Sequence, residues 1–444
     1  MTDAFRQDSQ KLLRAPNILV AADTFPSSLA PLLPLDKEAV TDIRETKGVN
    51  LHHGLSRSLI SLGGSWNQVG QDFVGNADGA KPFQCGISDD GNRIVVATPR
   101  ESTYHIYGGV VRVYDRAEDG WVQVGPDSVG FFGTRRGWTT KISGDGSTIA
   151  VGERLWGRHS GGFRGRVLVF KLNEDDVWTL IGKFEGEADT DDRTGRHISL
   201  SGNGEAIVIG VHRNNKSTGR VYVYTYDGTS WTLVGTVDGD SASGRFGYSV
   251  DISTDGTTVA AGCHNCNSVR IYDTSSGLVE IGAMSGDGDY DKFGCGVSLS
   301  ANGNVIAIAS CGTNISQVKV FQKNDQGNWL QYGNTIAGDY MSKLSLSSDG
   351  QTLAILRNDD YFRVFSLVGD DWKQAGPDIE YEEGGQEVGL SEDGTTVIAC
   401  GVGSEGNERG LARVYDYQTT IGGYLDSASK VHQITAGAGS VTFS

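Results

Sequence analysis

One unit of about fifty residues is written seven times in this chain, a period that points to a solenoid or a propeller. Its first marker is Trp-x-x-x-Gly, at Trp66/Gly70, Trp121/Gly125, Trp178/Gly182, Trp231/Gly235, Trp329/Gly333 and Trp372/Gly376, with Leu278 replacing Trp before Gly282. The second is Ser-x-Asp/Asn-Gly, beginning at Ser88, Ser143, Ser201, Ser253, Ser300, Ser347 and Ser391. The third is an alternating apolar segment ending in an aromatic, as in Val111 to Tyr114, Val167 to Phe170, Val221 to Tyr224 and Val269 to Tyr272.

The fourth unit shows how a copy folds. Tyr248 to Ile252 alternates as a half-buried strand, and Thr254-Asp255-Gly256 supplies hairpin chemistry, Gly taking the positive φ that a tight turn requires. Thr257 to Ala261, Ser268 to Tyr272 and Leu278 to Gly282 then complete a four-stranded antiparallel meander. A single sheet of this size leaves both edges open and cannot bury both faces. The Val-x-Val-Tyr segments lack the 3.6-residue period of stacked helices. A radial array of blades remains, so the expected fold is all-β, a seven-bladed β-propeller of four-stranded antiparallel blades.

The first Trp unit precedes any inner strand, whereas the last three-strand set ends at Tyr415 with no Trp unit behind it. Trp66 to Gly70 is therefore expected to be the outer strand of the seventh blade, closing the ring against Leu411 to Tyr415. Residues 1–60 do not match the repeat and read as a flexible leader with a short polar helix over Asp36 to Lys47 and surface residues at His52 and His53; the propeller spans 61–420, and 421–444 read as a loosely attached tail.

Ser249-Val250-Asp251-Ile252-Ser253-Thr254-Asp255-Gly256, continued to Val269-Arg270-Ile271-Tyr272-Asp273, resembles the WD-repeat pattern with Tyr-Asp in place of Trp-Asp. The lead-in Arg245-Phe246-Gly247, echoed by Lys292-Phe293-Gly294, resembles the FG-GAP repeats of integrin-type propellers. Both resemblances cover Trp66 to Tyr415 and imply seven blades. The Gly-His dipeptide of WD repeats is missing, and the Ser-x-Asp-Gly turns are shorter than the calcium loops that FG-GAP blades often carry.

The net charge of −17 argues against binding to nucleic-acid backbones, which requires Lys and Arg to neutralise phosphate. No apolar run reaches the roughly 18 residues of a membrane span. Met1 to Val20 has no basic segment leading into an apolar one, so a cytoplasmic location is expected; a monomer is expected as well. The six cysteines are dispersed and read as reduced, buried thiols; Cys263 and Cys266 lack the second ligand pair of a zinc site. No cofactor is expected. Asp287-Gly288-Asp289-Tyr290-Asp291 alternates carboxylates as a weak calcium site would, but Lys292 stands where an EF-hand loop needs Gly. Signatures of metalloproteases, serine hydrolases and phosphate-binding loops are absent, and no catalytic residue is assigned.

Charge is unevenly distributed. Residues 121–230 carry 14 Lys and Arg against 13 Asp and Glu, leaving 24 against 42 in the rest of the chain. Arg135, Arg136, Arg154, Arg158 and Arg164 interleave with Trp138 and Trp156 in two loops that emerge on the same face of a blade. Arg beside aromatics is the composition of an interaction hot spot, so these seven residues are the candidate partner-binding set. The competing reading is that the arginines pair with acidic loops of the next blade. The sequence thus favours a noncatalytic binding scaffold presenting a loop-rich face to a protein or glycan. The alternatives are a propeller hydrolase or lyase with an axial pocket, in which Lys141, His197, Lys343 and Glu387 break the repeat without forming a recognisable set, and a multivalent lectin using its Trp residues.

Deleting residues 60–72 is expected to lower the thermal unfolding midpoint sharply; unchanged cooperative melting of the truncated chain would remove the ring-closure argument.

Overall fold

In the computed structural model, the described residues are 63–75, 84–159, 162–187, 191–288, 291–312, 316–338, 343–357, 361–380, 385–401, 410–425, 431–437 and 440–443. The leader, its expected helix, His52 and His53 lie outside them. The chain divides into two compact units, one of residues 68–374 and 378–415, the other of residues 1–67, 375–377 and 416–444.

The larger unit is a seven-bladed β-propeller of four-stranded antiparallel blades. Blade 4 is the simplest, with strands Phe246–Ile252, Thr258–Cys263, Ser268–Asp273 and Val279–Ser285 in meander order. The strand Thr258–Cys263 is buried along its whole length and is apolar on both faces. Val259 and Ala261 pack with Val208, Val221 and Val223 of blade 3, while Ala260 packs with Phe293, Val297 and Ile306 of blade 5. The core therefore lies between blades, and a modest apolar content fills it because the outermost strands stay half wet.

Each Ser-x-Asp/Asn-Gly marker is one hydrogen-bonded turn. In blade 4 the Ser253 hydroxyl donates to Asp255 Oδ1 at 2.6 Å and accepts the Thr258 amide at 2.9 Å; the same pair of bonds recurs in the other six blades. Gly256 takes φ 75°, as the turn requires.

The turns are also bonded to one another in a closed circle. Asp89 N–H reaches Gly144 O, Asp145 N–H Gly202 O, Gly202 N–H Thr254 O, Asp255 N–H Ala301 O, Ala301 N–H Ser348 O, Ser348 N–H Glu392 O and Glu392 N–H Asp89 O, at 2.8 to 3.2 Å.

The Trp-x-x-x-Gly markers are the outer strands, and the structure explains the pairing of the two residues. The glycine of one blade receives the Trp of the next: a Cβ on Gly182 would stand 2.6 Å from Trp231 Nε1, and one on Gly282 2.5 Å from Trp329 Nε1. Trp121 Nε1–H donates to Val69 O, Trp178 Nε1–H to Val124 O and Trp372 Nε1–H to Tyr332 O, each acceptor being the residue before such a glycine. Leu278 occupies the same place against Gly235.

The ring closes in blade 7 through N-terminal sequence. Gly63–Gln68 and Phe73–Val74 both join the strand Leu411–Leu425, with Phe73 opposite Ala412 and the Val69 amide bonded to Val414 O at 2.8 Å. Arg413 grips Asp72 with two bonds of 2.8 and 2.9 Å. In the smaller unit, Trp66 donates to Ala375 O at 2.9 Å and its ring lies 4.9 Å from Tyr417, and Val431–Gly437 pairs with the far end of Leu411–Leu425 and with Ser440–Phe443.

Four cysteines depart from the reduced state expected of them. Cys263 is joined to Cys266, and Cys295 to Cys311 across two neighbouring strands; Cys85 and Cys400 are free and buried.

Replacing Ser253 by Ala strands the buried Thr258 amide and should cost about 1 to 3 kcal/mol in chemical denaturation. A change within about 0.5 kcal/mol, the range of ordinary surface substitutions, would show that the turn serine is dispensable.

Candidate functional site

Two places gather unlike polar residues: the axial channel, and the loop face opposite the ring of turns.

The innermost strands alternate, so every second residue points to the axis. Counting back two residues from the seven turn serines gives Gly86, Lys141, Ser199, Asp251, Ser298, Ser345 and Gly389, all lining a channel of about 360 Å³. Several of these side chains link neighbouring blades: Ser298 Oγ accepts the Leu346 amide and Ser345 Oγ the Leu390 amide, both at 3.1 Å, and Asp251 accepts the Leu299 amide at 2.8 Å and the Ser199 hydroxyl at 2.6 Å. Burial raises the Asp251 carboxyl above the usual range in spite of these bonds.

Two residues further back stand His197, Lys343 and Glu387. Glu387 is buried and bridges two lysines, Lys141 at 3.0 Å and Lys343 at 2.9 Å. Burial alone would raise its carboxyl; the two ammonium groups outweigh that and hold it at about 2. The four repeat-breaking residues thus line one channel, and three of them form a single charge network.

On the loop face, the structure brings most of the sequence-predicted residues together as ring stacks. Trp138 carries two guanidiniums, Arg154 at 3.4 Å and Arg135 at 5.8 Å from the ring centroid. Trp156 carries Arg164 at 4.8 Å and, beside it, Arg166 at 4.7 Å. Arg136 is different: it is buried and bonded to Glu153 at 2.6 Å, and Glu153 takes Arg166 on its other oxygen. It also ties blade 2 to blade 1, its Nη1 donating to Ser128 Oγ at 3.2 Å. Arg158 lies in the hairpin Arg158–His159/Gly162–Phe163, and its side chain is outside the described ones.

Acidic partners absorb part of the positive charge, as Asp191 does for Arg193 and Arg213. Arg154 has no such partner among the described residues. Burial, reinforced by Arg196, Arg193, Arg135 and Arg100, lowers its guanidinium to about 9. His197 and Tyr248 line the channel, and His197, His212 and His264 surround the Tyr248 ring with centroids 4.3 to 5.5 Å away. Burial, with the nearby positive charges, keeps His197 well below its usual value and His212 at about 3.

A further set was missed in the sequence. Tyr104, Ile106, Tyr107, Phe131 and Phe132 are each more than half exposed, and they lie on two loops bonded to each other. Gly133 N–H reaches Ile106 O, Arg135 N–H Tyr107 O and Arg136 N–H Gly108 O, at 2.8 to 3.1 Å. His105 stacks on Phe131, and Arg135 lies 6.0 Å from the Tyr107 ring. The adjacent Phe131-Phe132 in a polar loop was the available signal.

In the loop Asp287 to Asp291, whose carboxylates alternate as a weak calcium site would, Asp287 accepts from Lys319 and Asp291 accepts the Gly288 amide; Asp289 and Tyr290 lie outside the described residues. No group of three or more His, Cys, Asp or Glu is placed to hold a metal among the described residues. Among them, too, no helix is long and apolar enough to cross a membrane.

No protein-family model matches the chain, and no curated protein does. Among solved structures it is similar to a protein from Bacteroides uniformis ATCC 8492 provisionally assigned as a 6-phosphogluconolactonase, with 14% identity over 68% of this chain and 85% of that one and a TM-score of 0.49.

Glu387→Gln should destabilise the protein by about 2 kcal/mol at pH 7, less than a fully dry ion pair because Lys141 and Lys343 are a third or more exposed. Glu387 is depressed in the folded state, so its contribution is complete above its unfolded value near 4.5 and is lost as pH falls toward 2. The gap between wild type and variant in denaturant midpoints should therefore close on acidification; a gap independent of pH would remove the charge network as its cause.

Proposed function

We propose that this propeller is a noncatalytic binding scaffold that docks an acidic segment of a protein partner on the loop face of blades 1 and 2. The carrying observation is the cluster of Tyr104, Ile106, Tyr107, Phe131 and Phe132 around Arg135, an exposed aromatic and apolar patch on loops fixed by main-chain bonds. Large, rigid aromatics with Arg are the residues that dominate binding energy at protein interfaces. Contiguous exposed apolar surface of this kind marks interaction sites. Arg100 and Arg154, the latter with no carboxylate partner among the described residues, give the patch a positive border that favours an acidic partner.

Within this reading the repeat is a divergent FG-GAP-like or WD-like one. Support comes from the Phe-Gly lead-ins: Phe246 and Phe293 are buried, and Gly247 and Gly294 press their carbonyls against Gly210 and Gly262 of the preceding blade. The lectin alternative loses its main support, because the Trp residues of the repeat pack against the preceding blade's glycines.

The test is an affinity capture from the source cell with wild type, Phe131→Ser/Phe132→Ser and Arg135→Ala. A partner retained stoichiometrically by wild type should bind about 30-fold more weakly to the variants, the equivalent of a 2 kcal/mol hot spot, at unchanged melting temperature. Equal recovery by all three proteins would overturn the assignment.

A further inference from the structure

Beyond the patch on blades 1 and 2, we propose that the mouth of the axial channel, between blades 2 and 4, is a binding site for a small oxyanion, a carboxylate or a phosphate or sulfate group, held by Arg154 and Arg196. It shares Arg154 with the border of that patch but does not require the patch's aromatic residues.

Four observations converge. Arg154 Nε is buried without a hydrogen-bond partner, as are His197 Nε2 and His212 Nδ1. Neither Arg154 nor Arg196 has a carboxylate partner among the described residues, although Arg93, Arg112, Arg136, Arg166, Arg193, Arg213, Arg220, Arg270, Arg363 and Arg413 each have one. Both guanidiniums are held by rings: Arg154 lies 3.4 Å from the Trp138 centroid, and Arg196 lies 5.9 Å from the Tyr248 centroid and bonds its hydroxyl. Trp138, Arg196, His197 and Tyr248 all line the channel cavity.

Two like charges near enough to act on one another and left without a counter-charge are costly in the empty protein. An oxyanion removes that cost and satisfies the orphan donors together. Guanidinium forks match carboxylate and phosphate geometry, and the neighbouring imidazoles can turn an N–H toward the same oxygens. The cavity of about 360 Å³ is at the small end of ligand pockets.

The experiment measures thermal unfolding and titration calorimetry at constant ionic strength, with sodium chloride exchanged for inorganic phosphate, sulfate or citrate. Wild type and Lys373→Gln, a charge-matched change on an outer strand of blade 6, should show the same saturable rise in melting temperature and the same binding isotherm. Arg154→Gln and Arg196→Gln should lose at least tenfold in affinity while melting no lower than wild type in chloride, since each removes an uncompensated charge. Arg154→Lys, which keeps the charge without the fork, should fall between. Phe131→Ser/Phe132→Ser should bind the anion normally, so failure of the docking patch and failure of this site are read separately. A preference for phosphate and sulfate over citrate, or the reverse, identifies the oxyanion class. Stabilisation equal in chloride, or unaltered by Arg154→Gln and Arg196→Gln, would overturn the proposal.

Discussion

The circle of main-chain hydrogen bonds through the seven Ser-x-Asp/Asn-Gly turns is the constraint on which the rest depends. Each turn must present an N–H to one neighbour and a C=O to the other, so each must have one fixed shape. The serine hydroxyl enforces it by tying the turn aspartate or asparagine to the amide that starts the second strand. With the turns locked, the inner strands are set in register around the axis, and the polar residues two and four positions earlier meet in the channel. At the circumference the Trp of one blade fills the missing side chain of the previous glycine. Blades are thus joined at the hub by hydrogen bonds, in the middle by apolar burial and at the rim by aromatic packing.

The two ends of the channel differ in chemistry. At the turn end, Asp89 sits near Glu392 and Asp145, and burial together with those charges raises it to about 6. At the loop end, arginines accumulate around Trp138 and Tyr248. A protein with a strongly negative net charge therefore carries a positive site, and the screening of distant charges by salt lets that local field persist close to the surface.

Fold and blade count were legible because each rests on a pattern carried within every blade: Gly256 needs its turn, and Thr258–Cys263 needs two dry faces; ring closure was legible from the Trp unit left over at Trp66 and the one missing after Tyr415. Lys141, Lys343 and Glu387 were visible as departures from the repeat but looked scattered, since Lys141 and Glu387 are 246 residues apart and only closure of the ring sets them side by side. The loops were legible in composition and not in geometry. Arg136 and Arg154 look alike in sequence; Arg136 meets Glu153 across a strand end, and Arg154 is turned onto an indole instead. Phe131 and Phe132 were overlooked because nothing local says that a loop aromatic stays outside. The link between Cys295 and Cys311 depended on strand register that spacing alone does not supply.

One property of the turns reaches further. A hairpin that must bond to both neighbours cannot change length without breaking two links, so all seven keep the same number of residues, from Ser88 to Gly91 through Ser391 to Gly394. Insertions are admitted only where no such double obligation exists, as in the hairpin between Arg158 and Phe163. Length is thus held constant at the hub and varies away from it, also in the turns between third and fourth strands, which are short between Ala117 and Gly120 and longer between Leu172 and Trp178.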